Sequence, residues 1–320
     1  MRVPALPFAR PYPASVIGAA IVAALPLFAN DYHVTLAVNL CITLILTLSL
    51  NFVVGYSGQF HLSHVAFFGV GAYASAILAK QCHLSPWLCL VGAIFAVAVL
   101  ATLIGLPVTR LKGLYLAVAT LAFSLFIEVL VNQGGALTGG GYGIQDVPPA
   151  TVFGARLSGK AFYLLALGAV IVTIVGLGNL LDSKFGREII AVRDHPDAAA
   201  AAGINPAATR LLVLVIAASL AALAGWLHTF YYLNLNPVVV SPEWTFIWFF
   251  MVLVGGLGSM TGVILGTVLL TLGPEFLGFA AGQTILAIGI LLVAVTLFAP
   301  RGLAGLIADV RRKASAKGAV

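Results

Sequence analysis

The sequence predicts an all-α fold, a polytopic bundle of transmembrane helices. Three observations predict it. Hydrophobic residues make up 61% of the 320 residues and charged residues only 8%, against about 25% charged in soluble domains. The mean hydropathy is +1.10. Several apolar runs also reach the roughly 20 residues that a helix needs to cross a bilayer. The chain therefore reads as one integral membrane domain over 1–320, embedded in a lipid bilayer.

Taken in order, Ala14–Ala29 is a short span behind Arg2 and Arg10. No convincing cleavage site follows it, so it reads as retained rather than as a signal peptide. Val34–Val54, Pro86–Val108, Ala161–Leu181 and Leu211–Tyr232 contain no Asp, Glu, Lys or Arg. Val65–Ala79 is shorter, and Gly113–Val131 carries a single acid, Glu128. Trp244–Leu272 and Phe276–Ala299 are free of formal charge. Cys41, Cys82 and Cys89 have no metal-ligand spacing and read as small hydrophobes. Cys82 and Cys89 could also pair outside the membrane.

Charge sets the expected topology. Of the 16 basic residues, all but Lys80, Arg156 and Lys160 fall before the first span, between the fourth and fifth, in an insert at 182–210, or in the tail 301–320. The positive-inside rule puts both termini, the insert and the basic tail in the cytoplasm. Seven crossings up to Tyr232 then leave the chain outside, while the tail must end inside. One of the two remaining apolar segments is therefore not a simple span. Trp244–Leu272 is the expected broken or re-entrant hairpin, because Gly255, Gly256, Gly258 and Gly262 interrupt it. The expected count is about eight full crossings plus this broken hairpin.

A second break lies at Gly55–His64, polar and glycine-rich between two apolar spans. Val53–Gly58 matches Leu253–Gly258 in pattern, which suggests an internal repeat. Paired glycine-interrupted segments point to a translocation pathway; the alternative is close helix packing alone. Candidate pathway residues are Asn51, Gly55, Gly58, Gln59, His64, Gly255, Gly256, Gly258 and Ser259.

Residues for chemistry are scarce. His61 and His64 have no third ligand nearby, so no metal site is expected, and they read as a hydrogen-bonding or helix-end element. His228, in an apolar run, reads as a satisfied packing residue. Thr138–Ile144 is glycine-rich but lacks the lysine of a phosphate loop. No nucleophile–base pair or paired carboxylates stand out, so no catalytic residues are expected and the chain does not read as an enzyme. The net charge of +6 follows from membrane topology and calls for no nucleic acid. A gradient-driven carrier is a competing class, but it would usually hold an acid within the bilayer. Here Glu128, Asp146, Glu243 and Glu275 fall at span ends or in loops. The energy then has to enter from elsewhere, and the mixed-charge insert around Ser183–Asn205 is the obvious docking surface. Helix-forming alanines lie within it, and Gly203 can stop a helix after them.

In order along the chain, Leu50–Gln59, His64–Tyr73, Arg110–Tyr115, Leu137–Gly140 with Gly143 and Ile144, Gly186-Arg187, Ala191–Asp194, Ala201–Ile204 and Val254–Ser259 carry a resemblance. From about Asn39 to Arg301 the chain resembles LivM-type permeases of branched-chain amino acid ABC importers. The resemblance implies a permease subunit in a bacterial inner membrane that binds no cofactor. It implies cytoplasmic ABC ATPase subunits, a sister permease and a periplasmic substrate-binding protein as partners. It makes 182–210 a cytoplasmic coupling loop whose helix runs from about Asp194 to Ala202 and is ended by Gly203, with Arg187, Arg193, Asp194, Asp197 and Gly203 at the ATPase contact. Such permeases often carry Ser where this chain has His61 and Gly where it has Ser63. Urea and amide importers share the pattern, so these solutes remain an alternative.

Overall fold

The computed structural model describes residues 30–276, apart from 110, 112, 153 and 154, together with 289, 302, 303 and 305. The span expected at Ala14–Ala29, nearly all of the one at Phe276–Ala299 and most of the basic tail lie outside the described residues, as do Arg110 and Lys112.

Among the described residues the regular structure is helical, apart from a pair of two-residue strands, β1 (Thr151–Val152) and β2 (Ala155–Arg156), joined antiparallel. Helix α1 (Asp31–Asn51) runs straight into a π-helical turn, Phe52–Tyr56. Then come α2 (His64–Lys80), α3 (Pro86–Val108), α4 (Leu114–Gln133) and the single turn α5 (Gly135–Thr138). Helix α6 (Gly159–Asp182) leads to the short helices α7 (Lys184–Asp194) and α8 (Pro196–Ala201). Helix α9 (Pro206–Tyr232), a 3-10 turn at Pro237–Val240, α10 (Glu243–Gly255) and α11 (Met260–Phe276) follow. Among the described residues, five helical stretches are long and apolar enough to cross a membrane: Asp31–Tyr56, α3, α4, α6 and α9.

Local chemistry explains where the long helices begin. Ser85 and Ser158 cap α3 and α6 by accepting from the backbone N–H of Leu88 and Ala161. Asn205 accepts from Ala207 and Ala208 at the start of α9, with Pro206 in the first helical position. Such caps satisfy donors that the helix cannot pair itself.

The core is built on small residues. Ala217, Ala218, Ala221, Ala222 and Ala224 of α9 are fully buried. A Cβ at Gly71 would stand 2.5 Å from the Ala222 Cα, and one at Gly225 would meet the Phe68 carbonyl. Backbones of α2 and α9 thus touch, the way helices associate where apolar burial alone drives nothing. The outer faces are the reverse: Val91, Phe95 and Leu103 of α3 and Val172 of α6 are all more than 60% exposed. An apolar rim around a small-residue core suits a hydrocarbon solvent.

The bundle has two polar ends. At one, the insert end, Ser57, Gly58, Arg193, Arg210 and Gly258 gather. At the far end, Tyr32 donates to Glu275, Lys80 reaches the Gln145 carbonyl, and Ile144 bridges Leu235. Helices α10 and α11 form a hairpin broken at Gly256–Ser259, as the glycines suggest. Its tip lies at the insert end, and Glu275 returns to the far end.

The insert differs from expectation. Its main helix is α7, eleven residues long and lying N-terminal to the predicted one, and α8 is a separate short helix. Pro196 explains the split, because the residue before a proline is pushed out of the helical region. His195 accordingly has φ −144° and ψ 78°. Ser183 caps α7, and a Cβ at Gly186 would overlap the Leu181 carbonyl, so this glycine allows the sharp bend out of α6.

Candidate functional site

Three features far apart in sequence meet at the insert end. The first is the π-turn, where Gly55 lies directly against the α10–α11 hairpin. A Cβ there would overlap both Asn51 Oδ1 and the Gly258 backbone nitrogen. The second is Asn51, fully buried, whose Oδ1 accepts from the Gly258 N–H at 2.9 Å. Gly256 has φ 109° and Gly258 φ 75°, conformations that only glycine adopts freely. A Cβ at Gly302 would stand 2.6 Å from the Gly256 Cα, so three glycine backbones pack here.

The third feature is Arg193, at the end of α7. Its Nη1 donates to the Gly55 carbonyl at 3.2 Å, and its Nε to Asp194 Oδ1 at 2.9 Å. Its stem lies over Gly58, whose added Cβ would stand 2.7 Å from Arg193 Cγ. Gly58 has φ 69°. The remaining face of α7 buries Gly186, Ile189 and Val192, seated against α6 and α9. A helix that is polar outside and apolar inside is thus tied by one guanidinium to the break in α1.

The Arg193 guanidinium also holds the Asp194 carboxyl below the usual carboxylate range. A lowered pKa means that the pair is intact above the unfolded value and is lost only as pH falls through the lowered one. Replacing Arg193 with alanine is expected to return this carboxyl to the usual range, observable by carbon-13 NMR of the side chain.

Arg187 lies on the exposed side of α7 and donates to the Asp182 carbonyl. Asp197 is exposed in the first turn of α8, where a carboxylate suits the helix dipole. Gly203 follows α8 with φ 86°, and its N–H donates to the Ala200 carbonyl at 3.0 Å. Nothing lies within 4 Å of a Cβ added there, so conformation and not space demands glycine. Gly203→Ala is expected to cost roughly 1–2 kcal/mol at this turn, seen as earlier hydrogen exchange across Ala199–Ile204.

The extended stretch 57–63 crosses from the junction to the start of α2 inside the protein. Its polar groups are paired by neighbours. Thr120 Oγ1 accepts from the Leu62 N–H at 3.0 Å, and Ser124 Oγ donates to the Leu62 carbonyl at 3.0 Å. Gln59 Nε2 donates to Ser57 Oγ and to the Arg210 carbonyl. Non-helical backbone survives at membrane depth only with such cover. His61 bonds Ser63 Oγ through Nδ1 at 3.0 Å, and His64, first residue of α2, bonds Ser49 Oγ through Nε2 at 2.8 Å. Ser259 caps α11 by accepting from the Gly262 N–H at 3.1 Å.

The structure therefore joins Asn51, Gly55, Gly58, Gly256, Gly258 and Arg193 in one contact region. Gln59, His64, Gly255 and Ser259 serve the backbone and helix ends around it. Cys41 and Cys89 are buried, Cys82 is exposed, and all three are free thiols. His228 is not the satisfied packing residue expected: its Nδ1 is buried without a partner among the described residues. A cavity of about 660 Å³ adjoins His228 and is lined also by Trp248, Glu243 and Glu275. None of the nine candidate pathway residues lines it. No sequence motif marks this cavity, because its walls come from five helices and a 3-10 turn with no shared spacing.

With the geometry in place, comparison with known proteins is decisive on family. The model of a family described as "branched-chain amino acid transport system / permease component" matches residues 32–300. This chain belongs to that family. It is 32% identical over 312 residues to the high-affinity branched-chain amino acid transport system permease protein LivM of Salmonella typhimurium, covering 88% of this chain and 72% of that protein. LivM of Escherichia coli K12 is also 32% identical, covering 87% and 71%. A probable branched-chain amino acid transport permease protein LivM of Methanocaldococcus jannaschii is 26% identical, covering 67% and 68%. No solved structure gave a significant match. As a member of a transport permease family, the chain is a membrane protein of solute transport and not an enzyme.

Proposed function

We infer that this chain is the permease subunit of an ATP-driven importer of branched-chain amino acids. The family match over residues 32–300 carries the inference. Cytoplasmic ABC ATPases supply the energy, a sister permease completes the pathway, and a periplasmic binding protein delivers the solute. The membrane is the bacterial inner membrane.

The charge distribution supports the orientation. Among the described residues the insert end carries four basic residues, Lys184, Arg187, Arg193 and Arg210, against Lys80, Arg156 and Lys160 at the far end. The insert end then faces the cytoplasm, following the positive-inside rule. In this frame the α10–α11 hairpin enters and leaves from the outer side. That arrangement fits the parity the charges demand, which puts both termini inside.

The 182–210 insert is the coupling loop. Helix α7 presents Lys184, Arg187 and Glu188 along a groove of about 580 Å³ closed by Gly203 and Asn205. An ATPase surface seated there moves α7, and Arg193 passes the displacement to Gly55 and so to the hairpin. The ends of α1 and α10 then move as one unit, opening and closing the path. ATP therefore enters as motion of a polar helix, and no acid is needed within the bilayer.

The test is reconstitution in liposomes. The chain assembled with its ATPases, sister permease and binding protein is expected to take up leucine only with ATP. Leucine uptake by the purified chain alone, driven by a proton or sodium gradient, would overturn this reading. Uptake of urea but not leucine by the assembled transporter would keep the mechanism and replace the solute.

A further inference from the structure

We infer that the cavity between α1, α10 and α11 is a solute-binding station that takes a zwitterionic amino acid with an aliphatic side chain. The inference rests on the proposed importer function and deepens it by naming the site. At about 660 Å³ the cavity falls within the 300–1,000 Å³ or so of ordinary ligand sites. Its wall is apolar, built from Leu46, Phe68, Trp248 and Met251. Its polar groups are two carboxylates and several neutral side chains, Asn39, Thr43 and Ser241 among them. Glu243 and Glu275 are exposed carboxylates on its lining, suited to an ammonium group.

Two of the neutral groups are unpartnered. Nδ1 of His228 and Oγ1 of Thr271 are buried with no hydrogen-bond partner among the described residues, and both residues line the cavity. Such orphaned atoms are costly to bury unless something bonds them. A carboxylate bound there would meet both atoms as donors, with the ring proton on Nδ1. His228 then offers one N–H and Thr271 one O–H, the two donors that a carboxylate accepts. Phe68 and Tyr232 hold the imidazole in place, with ring centroids 5.6 and 4.6 Å away. Acids for the ammonium, neutral donors for the carboxylate and an apolar wall for the side chain make one complementary set. A lipid or a peptide would not need all three.

The test uses the fully assembled transporter in liposomes, with Cys41, Cys82 and Cys89 replaced by alanine. A cysteine is placed at the cavity (Thr271→Cys or, separately, Met251→Cys) or on the exposed face of α6 (Val172→Cys). Reaction with a small methanethiosulfonate is followed with and without saturating leucine. Leucine is expected to slow labelling at both cavity positions at least fivefold, glycine much less, and to leave the α6 position unchanged. His228→Phe is expected to raise the leucine concentration needed for that protection at least tenfold. Unprotected cavity cysteines in a transporter that still takes up leucine would overturn the site alone. Absence of any ATP-driven leucine uptake by the unmodified transporter would instead overturn the function on which it rests.

Discussion

Gly55→Ala is expected to abolish ATP-driven uptake and to destabilise the permease by about 3 kcal/mol, the upper end of the usual cost of overpacking. The added methyl has nowhere to go. It would overlap Asn51 Oδ1 and the backbone nitrogen of Gly258, and neither can swing aside as the tip of a long side chain could. Relief requires the hairpin tip to withdraw from α1. That withdrawal breaks the 2.9 Å bond from Gly258 to Asn51 and leaves a buried carbonyl oxygen unpaired. Thermal unfolding of the detergent-solubilised permease, read by tryptophan fluorescence, checks the stability. Gly203→Ala provides the contrast, because its neighbourhood is open and its cost stays local.

Arg193→Ala is expected to reduce uptake about tenfold while ATP hydrolysis continues. Its hydrogen bond to the Gly55 carbonyl is charge-assisted, worth roughly 1.5–3 kcal/mol in general. The side chain is 32% exposed, so solvent screening favours the lower figure, and about 1.4 kcal/mol is tenfold in an equilibrium. Arg193→Lys is expected to recover only part of the loss. An ammonium can reach one carbonyl, but it cannot bond Gly55 and Asp194 together in the fixed fork of a guanidinium. Comparing leucine uptake per ATP hydrolysed for the three forms separates uncoupling from failed assembly.

These residues also show what the sequence makes legible. Long charge-free runs such as Pro86–Val108 and Ala161–Leu181 reveal themselves because hydropathy acts along the chain. The glycine breaks are visible for the same reason. That the two breaks touch is not, since Asn51 and Gly258 are 207 residues apart and joined by a single bond. Arg193 stands out as a charge in the insert, and a surface contact is the natural reading. Its inward turn onto Gly55 depends on α7 being the main helix, which follows from the Ser183 cap and the Gly186 bend. The cavity is the least legible feature: Trp248 and Leu46 look like any membrane-helix residue, and only the fold brings His228 and Thr271 to one wall.

The central claim is that α7, the break in α1 and the tip of the hairpin move as one unit. A double-mutant cycle on transport tests it most directly, with Arg193→Ala and Asn51→Ala made singly and together in the reconstituted transporter. Residues in one network couple, whereas independent sites add. The account predicts that the double variant is no worse than the more impaired single one, because either change already cuts the same connection. Losses that multiply independently would contradict it.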